Sequence, residues 1–124
     1  MRVAAKMIAF TILLAIAAPG VVHSQQLPTV TIQDFEFRPG TLRVKIPAAG
    51  TGQQVRWVNN GPATHTVTAD RGTFNAGPLA RGGGFSFTFT SAGTFDYHCD
   101  IHSTMKGQVV VEVEPAPRET DDGY

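Results

Sequence analysis

Gly84-Phe85-Ser86-Phe87-Thr88-Phe89 alternates three phenylalanines with Ser86 and Thr88. Successive side chains of a strand point to opposite faces, so this run reads as a strand with one aromatic and one polar face. The same period of two runs outward from it. Phe95, Tyr97 and Cys99 share one phase downstream, and Val109, Val111 and Val113 close the chain's ordered part. Upstream lie Leu42, Val44 and Ile46, then Val55, Trp57 and Asn59, then His65, Val67 and Ala69. Val30 and Ile32 alternate on even positions and Phe35 and Phe37 on odd ones, so a bulge or bend is expected near Gln33-Asp34. These runs are short, rich in Val, Thr and Phe, and separated by Gly, Pro, Asn and Ser. They predict an all-β protein, an antiparallel Greek-key β-sandwich of seven to eight strands. A small β-barrel satisfies the same pattern. No amphipathic helical stretch and no internal repeat competes with it.

The flanks read differently. Arg2 and Lys6 precede a 16-residue uncharged stretch, Met7 to Val22, followed by small Ser24. This is the pattern of a secretory signal over residues 1–24, cleaved before Gln25. A membrane anchor is the alternative, but spanning takes about 20 apolar residues, and Pro19-Gly20 breaks this run. With no twin arginine before the run and no cysteine after it, the signal is of Sec type without lipidation. The mature chain is then expected in the periplasm, or outside the cell, and free of the membrane. Residues 25–114 form its one domain, with a flexible loop at Pro47 to Gln53. The polar, acidic tail 115–124, with two prolines, is expected to be disordered.

Composition removes several function classes. Lys+Arg and Asp+Glu balance at 10 each, and loss of Arg2 and Lys6 leaves the mature chain slightly acidic. No basic excess argues for nucleic acid. The single cysteine excludes an internal disulfide framework, a Cys-x-x-Cys redox pair and any multi-cysteine zinc or iron–sulfur site. A lone cysteine in an exported chain then needs its own explanation.

His65 shares its phase with Val67 and Ala69, and Cys99 with Phe95 and Tyr97, so both point inward. His102 and Met105 follow Cys99 at three-residue steps, a spacing that curls Cys99-x-x-His102-x-x-Met105 round one ion. Singly, each has an ordinary reading: a satisfied core histidine, an inert buried thiol, core-filling methionine. Together they supply two imidazoles, a thiolate and a thioether, the donor set of blue copper with a long axial Met bond. His98, by alternation, faces away from such an ion. Asp100 offers a harder, zinc-like alternative, which leaves Met105 unexplained.

The run from Tyr97 through Cys99, His102 and Met105 to Val111 resembles the copper-binding end of the cupredoxins. Its two-residue gap between His102 and Met105 is most similar to amicyanin. Val55 to Asn60 followed by Ala63-Thr64-His65-Thr66-Val67 resembles the family's upstream histidine segment, and Phe74 to Gly77 and Gly84 to Phe89 match the plastocyanin-like pattern. The resemblance spans Val30 to Val113. It implies a type 1 copper protein with one copper ion, bound by His65, Cys99 and His102 with Met105 axial. It also implies a monomeric carrier of single electrons between redox proteins such as a cytochrome or a dehydrogenase or oxidase, not an enzyme. His102 would be the exposed electron port, with Pro62, Ala63, Ile101 and Met105 as an apolar rim. Two positions depart from the family pattern. Thr66 stands where an Asn commonly ties the two ligand loops, leaving its hydroxyl for that tie, and Ile101 stands where amicyanin-like loops often carry Pro.

The same ligands would serve a copper-handling protein without a redox partner. A Cys99 nucleophile with a histidine base wants a substrate cleft and oxyanion donors, for which a 100-residue sandwich has little room. A catalytic copper would need further histidines, and of the four in the chain His23 falls in the signal.

Overall fold

The structure, a computed structural model, describes residues 20, 26–48, 50–116 and 118–119. The signal peptide read over 1–24 lies outside the described residues except for Gly20. Of the tail, only 115, 116, 118 and 119 are described, exposed and without regular structure. Among the described residues, no helix is long and apolar enough to cross a membrane.

Among the described residues, nine strands form the domain: β1 (Thr29–Gln33), β2 (Glu36–Arg38), β3 (Thr41–Ile46), β4 (Gln53–Asn59), β5 (His65–Ala69), β6 (Asn75–Leu79), β7 (Gly84–Phe89), β8 (Gly93–His98) and β9 (Lys106–Val113). They make two sheets, ordered β2-β1-β4-β7 and β3-β9-β8-β5-β6. The sandwich expected from the alternating runs is present, with three differences. The phase change near Gln33 is a hairpin, not a bulge: Gln33 pairs with Glu36, and Asp34-Phe35 is the turn. A two-residue turn carries the inward phase from even to odd positions, so Ile32 faces Phe37 in register and both are buried.

The second difference is β6, whose sequence Asn75-Ala76-Gly77-Pro78-Leu79 has no apolar alternation. It is the edge of its sheet, where a proline that donates no hydrogen bond is tolerated. Third, the sheets are mixed rather than antiparallel, since β1 pairs parallel with β4 and β3 parallel with β9. Alternation reports which face is buried and is blind to strand direction.

The core lies between the sheets and centres on Trp57, with ring centroids 5.4 Å from Phe74, 5.6 Å from Phe85 and 5.6 Å from Tyr97. Val30, Ile32, Val55, Val67, Phe89 and Val109 are buried around it. Burial of such side chains contributes roughly 1.5–3 kcal/mol each. This packing fixes the ends of β4, β5 and β8. The β1–β2 turn and the β4–β5, β6–β7 and β8–β9 loops all open at one end of the sandwich.

Candidate metal centre

His65 opens β5, and Cys99 follows the last residue of β8. Both are buried, as their phases required. From Cys99 the chain loops back on itself: the Met105 N–H donates to the His102 carbonyl at 3.0 Å and the Cys99 N–H to the Met105 carbonyl at 3.1 Å. This closed loop turns His102 back toward Cys99. The His65 and His102 Nδ1 atoms stand 3.2 Å apart, and Cys99 Sγ lies 3.9 Å from the first and 3.7 Å from the second. An ion with bonds of about 2.0–2.3 Å to two nitrogens and a sulfur, spaced near 120°, separates its donors by roughly 3.5–3.8 Å. The triangle fits such an ion, and among the described residues His65, Cys99 and His102 form a group able to hold one. Thiolate with imidazole is a soft donor set, suited to copper or zinc.

Burial holds the His65 imidazole below its ordinary pKa, and the neighbouring His102 lowers it further, against an opposing main-chain contact with Asp34. A neutral ring with a free lone pair is the form a metal takes. Met105 is 1% exposed, which corrects its expected place in an apolar rim: the loop carries it inward. Pro62 and Ile101 are exposed and Ala63 is half-buried, so these three are open to that role.

Two ties hold the segments that carry these side chains. The Thr66 N–H donates to Cys99 Sγ at 3.4 Å, and Thr66 Oγ1 accepts the Asp100 N–H at 2.7 Å. The hydroxyl therefore joins β5 to the β8–β9 loop, the part expected of it at this departure from the family pattern. Asn59 is the second, and the sequence reading missed it. Its amide donates to the Ala63 carbonyl at 2.8 Å and the Leu79 carbonyl at 2.9 Å, and its Oδ1 accepts from the Gly61 N–H at 3.0 Å. The signal was available: a fully buried Asn at an inward strand position must find partners. Phe35 is the other residue missed. Read as an inward strand residue, it stands 60% exposed in the β1–β2 turn, its ring centroid 5.0 Å from His102 and 6.1 Å from His65.

His98 faces the opposite side of the strand, as alternation required. Its Nδ1 bonds Asp70, and its Nε2 bonds Asp100 Oδ1 at 2.9 Å. The other Asp100 oxygen accepts from Thr68 Oγ1 at 3.1 Å, so this carboxylate is engaged away from the triangle. The Asp70 bond above all, with help from Asp100 and against partial burial, raises the His98 pKa from 6.5. Stabilisation by the charged ring is then fully present below pH 6.5 and lost as pH climbs through the raised folded value. The three side chains keep 32%, 50% and 55% exposure, so screening holds the loss under about 1 kcal/mol. His65, lowered by burial, acts in the opposite sense over the same range. The decline is therefore read as the difference in urea stability between the metal-free chain and His98→Asn, which should shrink from about pH 6 to about pH 8.

Residues 6–111 match the family model described as the cupredoxin-like domain. The chain belongs to the cupredoxin family. This cupredoxin is 36% identical over 88 residues to amicyanin of Paracoccus denitrificans, covering 67% of the chain and 63% of that relative. It is 33% identical over 118 residues to amicyanin-alpha of Methylorubrum extorquens, covering 88% and 95%. The chain thus spans less than two thirds of the first relative and nearly all of the second. A solved structure of a mutant amicyanin in its Cu(I) form superposes with a TM-score of 0.62 at 34% identity, covering 69% of this chain and 82% of that one. The purple cupredoxin from Nitrosopumilus maritimus, 23% identical with a TM-score of 0.61, shares the fold.

Proposed function

We propose that His65, Cys99 and His102 would hold one copper ion as its strong ligands, with Met105 as a weaker fourth. The chain is a small blue copper protein that carries single electrons between redox partners. The observation that supports this most directly is the compact triangle of two Nδ1 atoms and one sulfur, with edges of 3.2, 3.7 and 3.9 Å. Bound copper supplies a one-electron couple between Cu(I) and Cu(II).

The residues of the chain supply the rest. His65 and Cys99 are fixed by strands whose other inward side chains are core. Thr66 N–H donates to the Cys99 sulfur, drawing off part of the thiolate's charge. Because these groups are held by packing and by the Thr66 and Asn59 bonds, little rearrangement accompanies a change of charge. His102 is half-buried and gives electrons a short path to the surface, beside exposed Pro62 and Ile101. Cys99, buried against two imidazoles, serves as a ligand and not as a nucleophile, and the chain acts as a carrier rather than an enzyme.

The partners in this reading are proteins that give or take one electron, a cytochrome on one side and a dehydrogenase or oxidase on the other. The charged start and uncharged run of residues 1–24 support export by a Sec-type signal cut near Ser24, and work in the periplasm as a monomer. Stopped-flow mixing of the reduced, copper-loaded chain with an oxidised c-type cytochrome tests the role. Fast electron exchange is expected, slowed roughly tenfold by Ile101→Asp, which puts a charge on the apolar rim. Copper surrendered to an acceptor protein, without electron exchange, would show a copper-handling protein instead.

A further inference from the structure

Phe35 is a large aromatic ring left 60% exposed at the tip of a two-residue turn, outside the core. Its ring stands edge-on to His102 at an interplanar angle of 73° and edge-on to His65 at 82°. Among the described residues, the aromatic neighbours of the His102 ring are Phe35 and His65 alone. His102 itself sits in an irregular loop, between exposed Ile101 and exposed Ser103.

The turn that carries Phe35 is not free to drift. The Asn60 N–H donates to the Ile32 carbonyl at 3.0 Å, joining β1 to the β4–β5 loop. At Gly61 that loop presses backbone on backbone: a Cβ there would lie 3.0 Å from the Asp34 nitrogen and 3.7 Å from its Cα. Asp34 takes a φ of 50°, in the left-handed region that Asp tolerates better than most residues. Through Phe35, one short turn therefore meets both imidazoles, the buried His65 and the half-buried His102. The turn is itself pinned by the loop that leads into His65.

We infer that the Asp34-Phe35 turn is a retaining device for the metal centre, with Phe35 a positioning residue that holds the His102 ring toward His65 and Cys99. To leave an ion, His102 must part from the Phe35 ring packed against it. Phe35 thus sets how quickly the ion escapes, while contributing little to folding. The inference rests on the ligand assignment proposed above and adds to it a residue that touches the ligands but bonds no metal.

The test is capture of Cu(I) by excess bicinchoninate from the reduced, copper-loaded full mature chain. Phe35→Ala should release copper roughly tenfold faster, the low end of what loss of a residue supporting a metal ligand costs. Phe35→Tyr, which keeps the ring, should release at the native rate. The thermal midpoint of the metal-free chain should be the same in all three, which separates retention from folding. Native-rate release from Phe35→Ala overturns the inference, as does equally fast release from Phe35→Tyr. If Phe35→Ala does not fold, Phe35→Leu takes its place, and native-rate release from it is equally fatal. A native chain that takes up no Cu(I) would instead sink the ligand assignment.

Discussion

Cys99→Ser is expected to abolish the intense blue absorption of the Cu(II)-loaded protein while leaving the sandwich folded. The colour of a type 1 site comes from charge transfer between thiolate and copper, and a serine hydroxyl offers a hard oxygen that stays protonated at neutral pH. The substitution is nearly isosteric. The serine Oγ would replace a sulfur that is 1% exposed and accepts the Thr66 N–H, so the buried donor keeps an acceptor. Metal-free stability should fall by about 1 kcal/mol or less. Visible spectra during Cu(II) titration, with urea unfolding of both metal-free chains, give the two readouts. A variant that keeps the band removes Cys99 from the ligand set. A variant that loses both colour and fold would show the sulfur to be a core element first.

The candidate ligands were legible because strand geometry is simple. A period of two puts His65 with Val67 and Ala69, and Cys99 with Tyr97, on buried faces, and the three-residue steps to His102 and Met105 need only a loop that closes on itself. The residues that support the ligands were harder to read. Asn59 appeared as one more inward position, and its three hydrogen bonds reach Ala63, Gly61 and Leu79 across loops whose courses alternation does not describe. Phe35 was hidden by coincidence of phase. It sits two before buried Phe37, so the pattern reads as strand, whereas the chain reverses at Asp34-Phe35 and throws the ring out over His102.

The fold was legible to the same extent. Each apolar run is a strand or strand pair, because burying one face of a sheet writes a period of two into any sequence. Direction and edge position leave no such mark. The parallel pairs β1·β4 and β3·β9 have the alternation of antiparallel ones. β6 lacks it because its Gly-Pro pair interrupts the pattern, so that of its five residues Ala76 and Leu79 pack against the core three positions apart while it pairs with β5.

The register of β8 on β9 carries the largest expected effect on stability. Tyr97 pairs directly with Gly107, and a Cβ at Gly107 would overlap the phenol end of the Tyr97 ring and lie 2.6 Å from its Cε2. These are ring atoms, not a flexible tip, and the ring has nowhere to go. It is 1% exposed, with Phe37 at 4.8 Å and Trp57 at 5.6 Å between centroids. Its hydroxyl is buried, and burial pushes the phenol pKa up to about 12 against a smaller opposing effect of the Trp57 indole. Gly107→Ala is therefore expected to cost about 3 kcal/mol, the upper end for overpacking a core. Urea unfolding of the metal-free chain measures it. Truncating the ring should relieve the clash, so Tyr97→Leu with Gly107→Ala should cost clearly less than the two single changes summed. The copper site should register the same event. Tyr97 is two residues from Cys99 on the same strand face, so a ring forced outward from β9 drags the sulfur with it, and the charge-transfer band of Gly107→Ala should shift and then recover in the double variant. Unfolding at the native urea concentration would mean that Tyr97 does not lie over Gly107, and the register of the strand that delivers Cys99 would have to be redrawn.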